Sequence, residues 1–148
     1  MYKIVIATGG FDPIHSGHIL YLNKAFELGD YLIVGVNSDD WLCRKKGFSF
    51  MPLEERCIIL KNIKMVDEVV TWDDMDNTAN KLINYQLNKL NTDQKIIFAN
   101  GGDRNKKTTP EMLEFKNNPK VEFVFGVGGS YKKNSSSQIL SNFKKEKP

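Results

Sequence analysis

Two histidines stand three residues apart in a glycine-rich stretch near the start of the chain. The stretch reads Thr8-Gly9-Gly10-Phe11-Asp12-Pro13-Ile14-His15-Ser16-Gly17-His18 and contains both histidines of the sequence. It follows a short apolar run, and the pattern predicts that a helix begins near Ser16. Gly9 and Gly10 leave room for backbone amides to approach phosphate oxygens, and the first amides of a helix favour an anion. Because residues three apart share a helix face, we expect His15 and His18 to bind the same anion.

Cationic and hydroxyl side chains recur in later segments that we interpret as loops. The cationic segments are Arg44-Lys45-Lys46-Gly47, Arg104 to Lys107 and Lys132-Lys133. Ser135 and Gln138 have the S-x-x-Q spacing of a helix capping box. Capping and phosphate binding are compatible, because both use the start of one helix. The lysines between Lys144 and Lys147 are interpreted differently, as a solvated helix end.

The elements that must position these residues alternate in type. Apolar runs predict strands at Lys3 to Ala7, Tyr31 to Val36, Glu68 to Thr71, Lys95 to Ala99 and Val121 to Phe125. Between the first two strands, Ile19, Leu22 and Phe26 form one helical face, which we expect to stop at Gly29. Later helices are predicted over Leu53 to Asn62 and over the stripe from Ala79 to Leu90.

Alternating strands and helices predict an α/β fold. We expect a single domain over residues 1–148, with a doubly wound, parallel, five-stranded sheet of the Rossmann-like type. Such sheets bind ligands at the carboxyl ends of their strands, where the strand order reverses. The loops that leave the strands are therefore expected to hold the site.

The composition argues against nucleic-acid-binding and membrane-spanning classes of protein. The 21 basic residues nearly balance the 18 acidic ones, and no nucleic-acid-binding module is recognisable, so we do not expect nucleic acid as a partner. Cys43 and Cys57 lack the spacing of metal ligands or a redox pair, which indicates reduced thiols and a cytoplasmic location. No apolar stretch has membrane length, and no protein ligand for a metal is predicted.

The ordered motifs resemble one family. The H-x-G-H tetrapeptide at His15 to His18 resembles the signature of the cytidylyltransferase-like nucleotidyltransferases, which include glycerol-3-phosphate cytidylyltransferases and adenylyltransferase domains of ADP-heptose synthesis. Further segments follow in the order that this family shows. They are Val36 to Asp39, Arg44 to Gly47, Pro52 to Arg56, Val66 to Val70, Gly101 to Asp103, and Ser135 to Ser137. The resemblance covers nearly the whole chain.

The resemblance implies roles for particular residues. His15 and His18 would stabilise charge on the α-phosphoryl group and on the leaving pyrophosphate, and Lys45 and Lys46 would grip phosphate during catalysis. The residues implied at the nucleotide are Thr8, Gly9, Gly10, Phe11, His15, His18, Asp103, Ser135, Ser136 and Ser137. Those implied on the substrate side are Asp12, Lys45 and Arg56, and Arg56 would also hold the lysine loop.

The expected reaction transfers CMP or AMP from CTP or ATP to a small phosphorylated sugar or polyol and releases pyrophosphate, with Mg²⁺ accompanying the nucleotide. A homodimer is also implied by the resemblance. The stretch from Gly128 to Asn134 lacks the arginine that often precedes the family's S-T motif, so the choice of nucleobase stays open.

Three alternatives also remain: a cofactor-synthesis adenylyltransferase, a nucleotide-binding module without catalysis and, more weakly, a nucleic-acid-binding protein. Trp41 and Trp72 either stack on a base or pack in the core.

Overall fold

A computed structural model describes residues 1–102, 104–129 and 135–146. In these ranges the chain forms five strands and six helices. The strands are β1 (Tyr2–Gly9), β2 (Tyr31–Val36), β3 (Glu68–Val70), β4 (Gln94–Gly101) and β5 (Val121–Val127). The helices are α1 (Ser16–Phe26), α2 (Asp39–Lys46), α3 (Leu53–Lys61), α4 (Asn80–Leu87), α5 (Glu111–Phe115) and α6 (Ser136–Glu146). Within these residues, no helix has both the length and the apolar character needed to cross a membrane.

The strands pair in the order β3-β2-β1-β4-β5, and every pairing is parallel. The order reverses between β1 and β4, because β2 and β3 extend the sheet on one side and β4 and β5 on the other. This is the switch point at which α/β sheets bind ligands. The prediction of a doubly wound, five-stranded parallel sheet is confirmed.

Two hydrophobic cores lie on opposite faces of the sheet. Successive side chains of a strand point to opposite faces, so Val5 and Ala7 pack in one core and Ile6 in the other. The first core is covered by α1 and α3, with Leu22 and Leu60 fully buried. The second core is covered by α4 and α5. The buried side chains on this side include Ala79, Leu82, Ile83 and Phe115.

The segment containing Lys45 and Lys46 is helical, so its interpretation as a flexible loop was wrong. Ser38 caps α2, because its Oγ accepts a hydrogen bond from Trp41 N at 3.0 Å. Acidic residues occupy the first turn and cationic residues the last turn, as the helix dipole favours. Gly47 then ends the helix in the left-handed conformation, with φ of 87°. These local signals outweigh the absence of an apolar stripe.

The end of α1 also differs from expectation. The helix stops at Phe26, and its Phe26 side chain is 45% exposed, whereas Leu22 and Ala25 are buried. Gly29 serves close packing instead of stopping the helix. A Cβ there would lie 2.8 Å from Lys3 O and would clash with β1.

Arg56 joins three segments at the carboxyl edge of the sheet. Its residue exposure is 1%, and its guanidinium donates to the carbonyls of Gly10 (2.8 Å), Asn37 (2.7 Å) and Met51 (2.9 Å). It also pairs with Asp39 Oδ1 at 2.6 Å. These bonds satisfy backbone groups that would otherwise lie in the interior without partners. Arg56 therefore holds the β1–α1, β2–α2 and α2–α3 connections together.

We predict that Arg56→Gln lowers the free energy of unfolding by about 3 kcal/mol, because it leaves buried carbonyls without donors. Urea denaturation measures the change. The matched control is Lys61→Gln, which alters an exposed cation on the same helix and should stay within about 0.5 kcal/mol of wild type. Equal stability of the two variants would contradict the role assigned to Arg56.

Candidate active site

The two histidines cap α1 with each other. His15 is the N-cap residue, and its Nδ1 accepts a hydrogen bond from Gly17 N at 3.0 Å. His18 Nδ1 accepts in turn from His15 N at 3.2 Å. The imidazole rings lie with their centroids 3.9 Å apart. A neutral imidazole whose Nδ1 accepts must carry its proton on Nε2, so each ring keeps one N–H donor for a ligand.

The environment keeps both rings neutral. Burial, together with the nearby charges of His15 and Lys46, lowers the pKa of His18 to about 3. Burial also lowers the pKa of His15. At neutral pH the two adjacent rings therefore do not repel each other. They present hydrogen-bond donors without an attached charge, and a phosphate oxygen is a suitable acceptor.

The two lysines of α2 point to different surroundings. Lys45 lines the cavity described below, and its Nζ lies 4.6 Å from the ring centroid of Trp41. Lys46 Nζ donates to the carbonyl of Asp12 at 2.5 Å and lies 3.5 Å from Asp12 Oδ2. Adjacent helical residues diverge by about 100°, so one cation faces the cavity and its neighbour ties α2 to the β1–α1 connection.

Asp12 is buried beneath the site. Its Oδ2 accepts from Phe50 N at 2.7 Å and its Oδ1 from Met51 N at 2.6 Å. Together with the ion pair to Lys46, these bonds hold the α2–α3 connection against the β1–α1 connection. Asp12 and Arg56 are absent from the lining of the cavity, although the family resemblance implies a place for them on the substrate side.

The start of α6 lies beside the β1–α1 connection, although the two segments are far apart in the chain. Ser135 Oγ accepts from Gln138 N at 3.1 Å, which confirms the predicted cap. Ser136 Oγ donates to the carbonyl of Pro13 at 2.7 Å, and this bond joins α6 to the β1–α1 connection. Two helix N-termini, those of α1 and α6, therefore converge, and their first amides favour negative charge. Ser137 is exposed and is not among the residues that line the cavity.

A cavity of about 720 Å³ lies along the carboxyl edge of the sheet. The predicted site residues that line it are Thr8, Gly9, Phe11, His15, His18, Lys45, Ser135 and Ser136. Those that do not line it are Gly10, Asp12, Lys46, Arg56 and Ser137. Asp103, Lys132 and Lys133 lie outside the described residues. In the described ranges no group of three or more His, Cys, Asp or Glu side chains is arranged to hold a metal ion.

Gly9, Gly10 and Phe11 shape the first loop of the site. Phe11 is buried with φ of 53°, a left-handed conformation that is uncommon for a side chain of this size. Its ring packs 4.9 Å from that of His18. A Cβ at Gly10 would lie 2.8 Å from Leu42 Cδ2, so Gly10 lets α2 approach β1. These contacts hold His18 at the rim of the cavity.

Several lining residues were not predicted from the sequence. They are Tyr21, Asn37, Asn77, Thr78, Asn100, Thr108 and Glu111. Asn37 and Asn100 follow the buried runs of β2 and β4, and a polar residue at that point of a strand was a usable signal. Glu111 opens a helix of only five residues and carried no sequence signal. Trp72 lines the cavity and also packs on the second core, and Arg104 is the member of its cationic segment that lines the cavity.

The chain resembles parts of larger bacterial proteins. It is 38% identical to the Bifunctional protein HldE of Shigella flexneri serotype 5b (strain 8401), in a match covering 68% of this chain and 24% of that protein. The same values hold for the Bifunctional protein HldE of Escherichia coli O1:K1 / APEC. The chain thus spans about a quarter of the length of the curated relatives it matches.

Solved structures share the fold. A lipopolysaccharide core biosynthesis protein from Thermoplasma volcanium GSS1 superimposes with a TM-score of 0.66 at 26% identity, over 89% of this chain and 100% of that one. A bifunctional NMN adenylyltransferase/ADP ribose pyrophosphatase from Francisella tularensis, solved with AMP and a manganese ion, has a TM-score of 0.64 at 15% identity. That match covers 99% of this chain and 43% of the other.

The family assignment follows from the sequence match and agrees with the site. The sequence model of the family described as Cytidylyltransferase-like matches residues 6–141. This range begins in β1 and ends in α6. It includes the paired histidines, both helix N-termini and the switch point of the sheet. The chain belongs to the cytidylyltransferase-like family of nucleotidyltransferases.

Proposed function

We propose that this nucleotidyltransferase transfers AMP or CMP from ATP or CTP to a small sugar or polyol phosphate and releases pyrophosphate. The observation that carries the proposal is the locked pair of neutral histidines, whose free Nε2–H donors lie where two helix N-termini converge. Acyl or glycosyl transfer would need a nucleophile or a pair of carboxylates at this point. Nucleotidyl transfer needs positioning and charge stabilisation around phosphate, which these groups supply.

The reaction proceeds by in-line displacement. An oxygen of the acceptor's phosphate forms a bond to the α-phosphorus, and the bond from that phosphorus to the β-phosphate oxygen breaks. Pyrophosphate leaves with the electron pair of the broken bond. The attacking phosphate is already an anion, so no side chain has to remove a proton. His15 and His18 donate Nε2–H bonds to oxygens whose negative charge grows during transfer.

Other residues support the nucleotide. Lys45 neutralises phosphate charge from the α2 side, and Lys46 adds positive potential close to His18. Thr8, Gly9 and Phe11 border the nucleotide, and Ser135 and Ser136 at the start of α6 take the β- and γ-phosphates. Gly10 and Ser137 do not line the cavity and act only through the loop and the helix start to which they belong. Asp12 and Arg56 act on substrate through the connections that they hold. Asp103 near the nucleoside stays a prediction.

A magnesium ion is proposed as part of the nucleotide substrate. The described residues hold no cluster of hard oxygen ligands, and both histidine Nδ1 atoms are occupied by backbone donors. This donor set fits an ion that is bound by the phosphates and water. When bound, Mg²⁺ neutralises part of the phosphate charge. The solved neighbour from Francisella tularensis contains AMP and a manganese ion, which supports a divalent ion with the nucleotide.

Two further proposals are a homodimer, which rests on the family resemblance, and a cytoplasmic location, which rests on the spacing of Cys43 and Cys57. The second candidate function is adenylyl transfer in cofactor synthesis, because neighbours with TM-scores of 0.64 and 0.62 are described as NMN adenylyltransferase and NadR. At 15% and 20% identity these neighbours support a shared fold, and the acceptor must be found by assay.

A pyrophosphate-release screen tests the proposed function. ATP and CTP are each offered with sugar 1-phosphates, polyol phosphates, nicotinamide mononucleotide and phosphopantetheine. Release with a sugar or polyol phosphate is expected, and His18→Ala should cut turnover by about 10²- to 10³-fold, the effect of losing one preorganised donor. Release with a cofactor precursor alone would favour the second candidate. Nucleotide binding without release for any acceptor would indicate a non-catalytic module.

The low pKa of His18 predicts a pH-dependent contribution to stability. The unfolded ring binds a proton below about pH 6.5, whereas the folded ring resists protonation down to about pH 3. The contribution is therefore complete above pH 6.5 and is lost as pH falls towards 3, by at most about 1.4 kcal/mol per pH unit. Urea denaturation between pH 7 and 4 should show that the free energy of unfolding falls more steeply with acidification in wild type than in His18→Gln. Parallel curves would show that His18 titrates normally.

Lys45→Ala is expected to lower kcat/KM for the nucleotide about tenfold or more, a loss of at least about 1.4 kcal/mol of transition-state stabilisation. Lys46→Ala should have an effect of similar size. Steady-state kinetics with the best acceptor gives the values, and thermal melts separate activity from folding. Lys64→Ala, an exposed cation near the end of α3, serves as the matched control. An unchanged kcat/KM in both Lys45→Ala and Lys46→Ala would show that other residues bind the phosphates.

A further inference from the structure

A second, smaller pocket lies outside the nucleotide cavity, where the β4–α5 connection meets α5. Its volume is about 310 Å³. Its lining combines lysines with apolar residues, and none of these residues lines the nucleotide cavity. They are Lys106, Lys107 and Lys116, together with Pro110, Met112 and Leu113.

The pocket is formed by one face of α5. Glu111 and Phe115 are buried and lie four residues apart, so they share the inner face of this helix. Met112 and Leu113 lie four and three residues before Lys116, so these residues share the outer face. Leu113 is 86% exposed, the highest value among the large apolar side chains that the structure describes. The apolar part of the pocket is therefore open to water.

The lysines of the pocket have no acidic partners. Among the described residues, no carboxylate lies within ion-pair distance of Lys106, Lys107 or Lys116. By contrast, the exposed Lys81 pairs with Asp73 at 2.7 Å. Several uncompensated ammonium groups around one recess produce a positive potential, which attracts an anionic ligand.

The turn that carries two of these lysines is held by its own hydrogen bonds. Asn105 Oδ1 accepts from Lys107 N at 2.8 Å, and Asn105 N donates to Thr108 Oγ1 at 2.9 Å. Thr109 is buried, and its Oγ1 donates to the carbonyl of Asn105 at 2.8 Å. The pocket is therefore preformed, and a ligand does not have to order this turn on binding.

The distribution of charge favours an extended ligand. Lys106 and Lys107 precede α5, and Lys116 is its C-cap residue. Cations thus lie at both ends of a helix that is about 7.5 Å long, with the apolar residues between them. A matching ligand carries negative charge at both ends and an apolar group in the middle. A peptide with an apolar side chain between acidic residues has this pattern.

Other anionic partners match the pocket less well. Its described lining contains no aromatic ring or guanidinium group on which a nucleobase could stack. Anionic lipid headgroups form a flat surface, whereas these lysines surround a recess. Inorganic phosphate would pair with lysines and leave Leu113 in water. An acidic peptide with an apolar residue uses both parts of the pocket.

We propose that this pocket binds an acidic peptide segment of a partner protein, whose apolar side chain packs on Leu113 while flanking carboxylates pair with the surrounding lysines. This binding activity is additional to nucleotidyl transfer. The β4–α5 connection also contributes Arg104 and Thr108 to the nucleotide cavity, so a bound partner would lie beside the active site.

Fluorescence anisotropy with two labelled peptides tests the proposal on the full chain. In one peptide a leucine is flanked on both sides by glutamates, and in the other serine replaces the leucine. Wild type should bind the leucine peptide with a Kd below about 1 mM and about tenfold tighter than the serine peptide, because only leucine buries apolar surface. Equal affinity for the two peptides, or no binding of either at about 1 mM, would overturn the proposal.

Two double variants with the same change in charge test the lysines. Lys106→Gln/Lys107→Gln should weaken the leucine peptide about fivefold, the loss expected for two exposed ion pairs. Lys61→Gln/Lys64→Gln removes two exposed cations at the end of α3 and should bind the peptide as wild type does. Equal weakening in both variants would show that the peptide responds to net charge alone, which contradicts a specific pocket.

Leu113→Ser tests the apolar contact. Because Leu113 is exposed, the variant should fold, and thermal melts check this. It should bind the leucine and serine peptides with nearly equal affinity. A retained tenfold preference for leucine would place the apolar contact outside this pocket and refute the proposal.

Competition shows where the peptide binds. Added ATP should leave peptide binding unchanged, whereas displacement by ATP would place the peptide in the nucleotide cavity and overturn the proposal. Single-stranded DNA and phosphatidylserine vesicles should bind more weakly than the leucine peptide. Tighter binding of either one that Lys106→Gln/Lys107→Gln weakens would assign the pocket to that partner instead. Because only binding is measured, failure of the proposed transfer reaction would not contradict this inference.

Discussion

The site depends on one reciprocal pair of hydrogen bonds, in which the imidazoles of His15 and His18 accept from backbone amides at the start of α1. Because both Nδ1 atoms accept, both protons must reside on Nε2. Because burial lowers the pKa of both rings, they remain neutral at physiological pH. The same two hydrogen bonds therefore cap the helix and leave both Nε2–H groups available as donors to a ligand. Losing either ring disturbs the helix start together with the chemistry.

The connections around this pair are held by buried charges whose partners are mostly backbone groups. Asp12 accepts from two amides of the α2–α3 connection, and Arg56 donates to three carbonyls. Asp74, also buried, accepts from Ser38 N and Asn37 Nδ2 and anchors the start of α2. Three loops that leave different strands are thereby kept in one arrangement. Preorganisation of this kind lets donors stabilise a transition state without first reorienting.

The two ends of the cavity use different physical principles. Around α1 and α6, helix N-termini and N–H donors favour an anion of high charge. Around α5, the carboxylate of Glu111 and the guanidinium of Arg104 lie 3.5 Å apart, so their charges offset each other at this end of the cavity. In the proposed function, the reacting phosphates bind at the first end.

The alternation of strands and helices, the start of α1 near Ser16 and the cap of α6 could be predicted from the sequence alone. These features depend on contacts between residues close together in the chain, such as His15 with His18 and Ser135 with Gln138. Signals for α2 were also present in Ser38, the charged turns and Gly47, although they were interpreted as a loop.

The strand order, the burial of Arg56 and the position of Glu111 could not be predicted from the sequence and are seen only in the tertiary structure. Glu111 meets Ala79 across 32 residues, and Arg56 meets Gly10 across 46. Pairings at such separations are set by how the crossovers stack elements on the two faces of the sheet, and residue type or local spacing does not encode them.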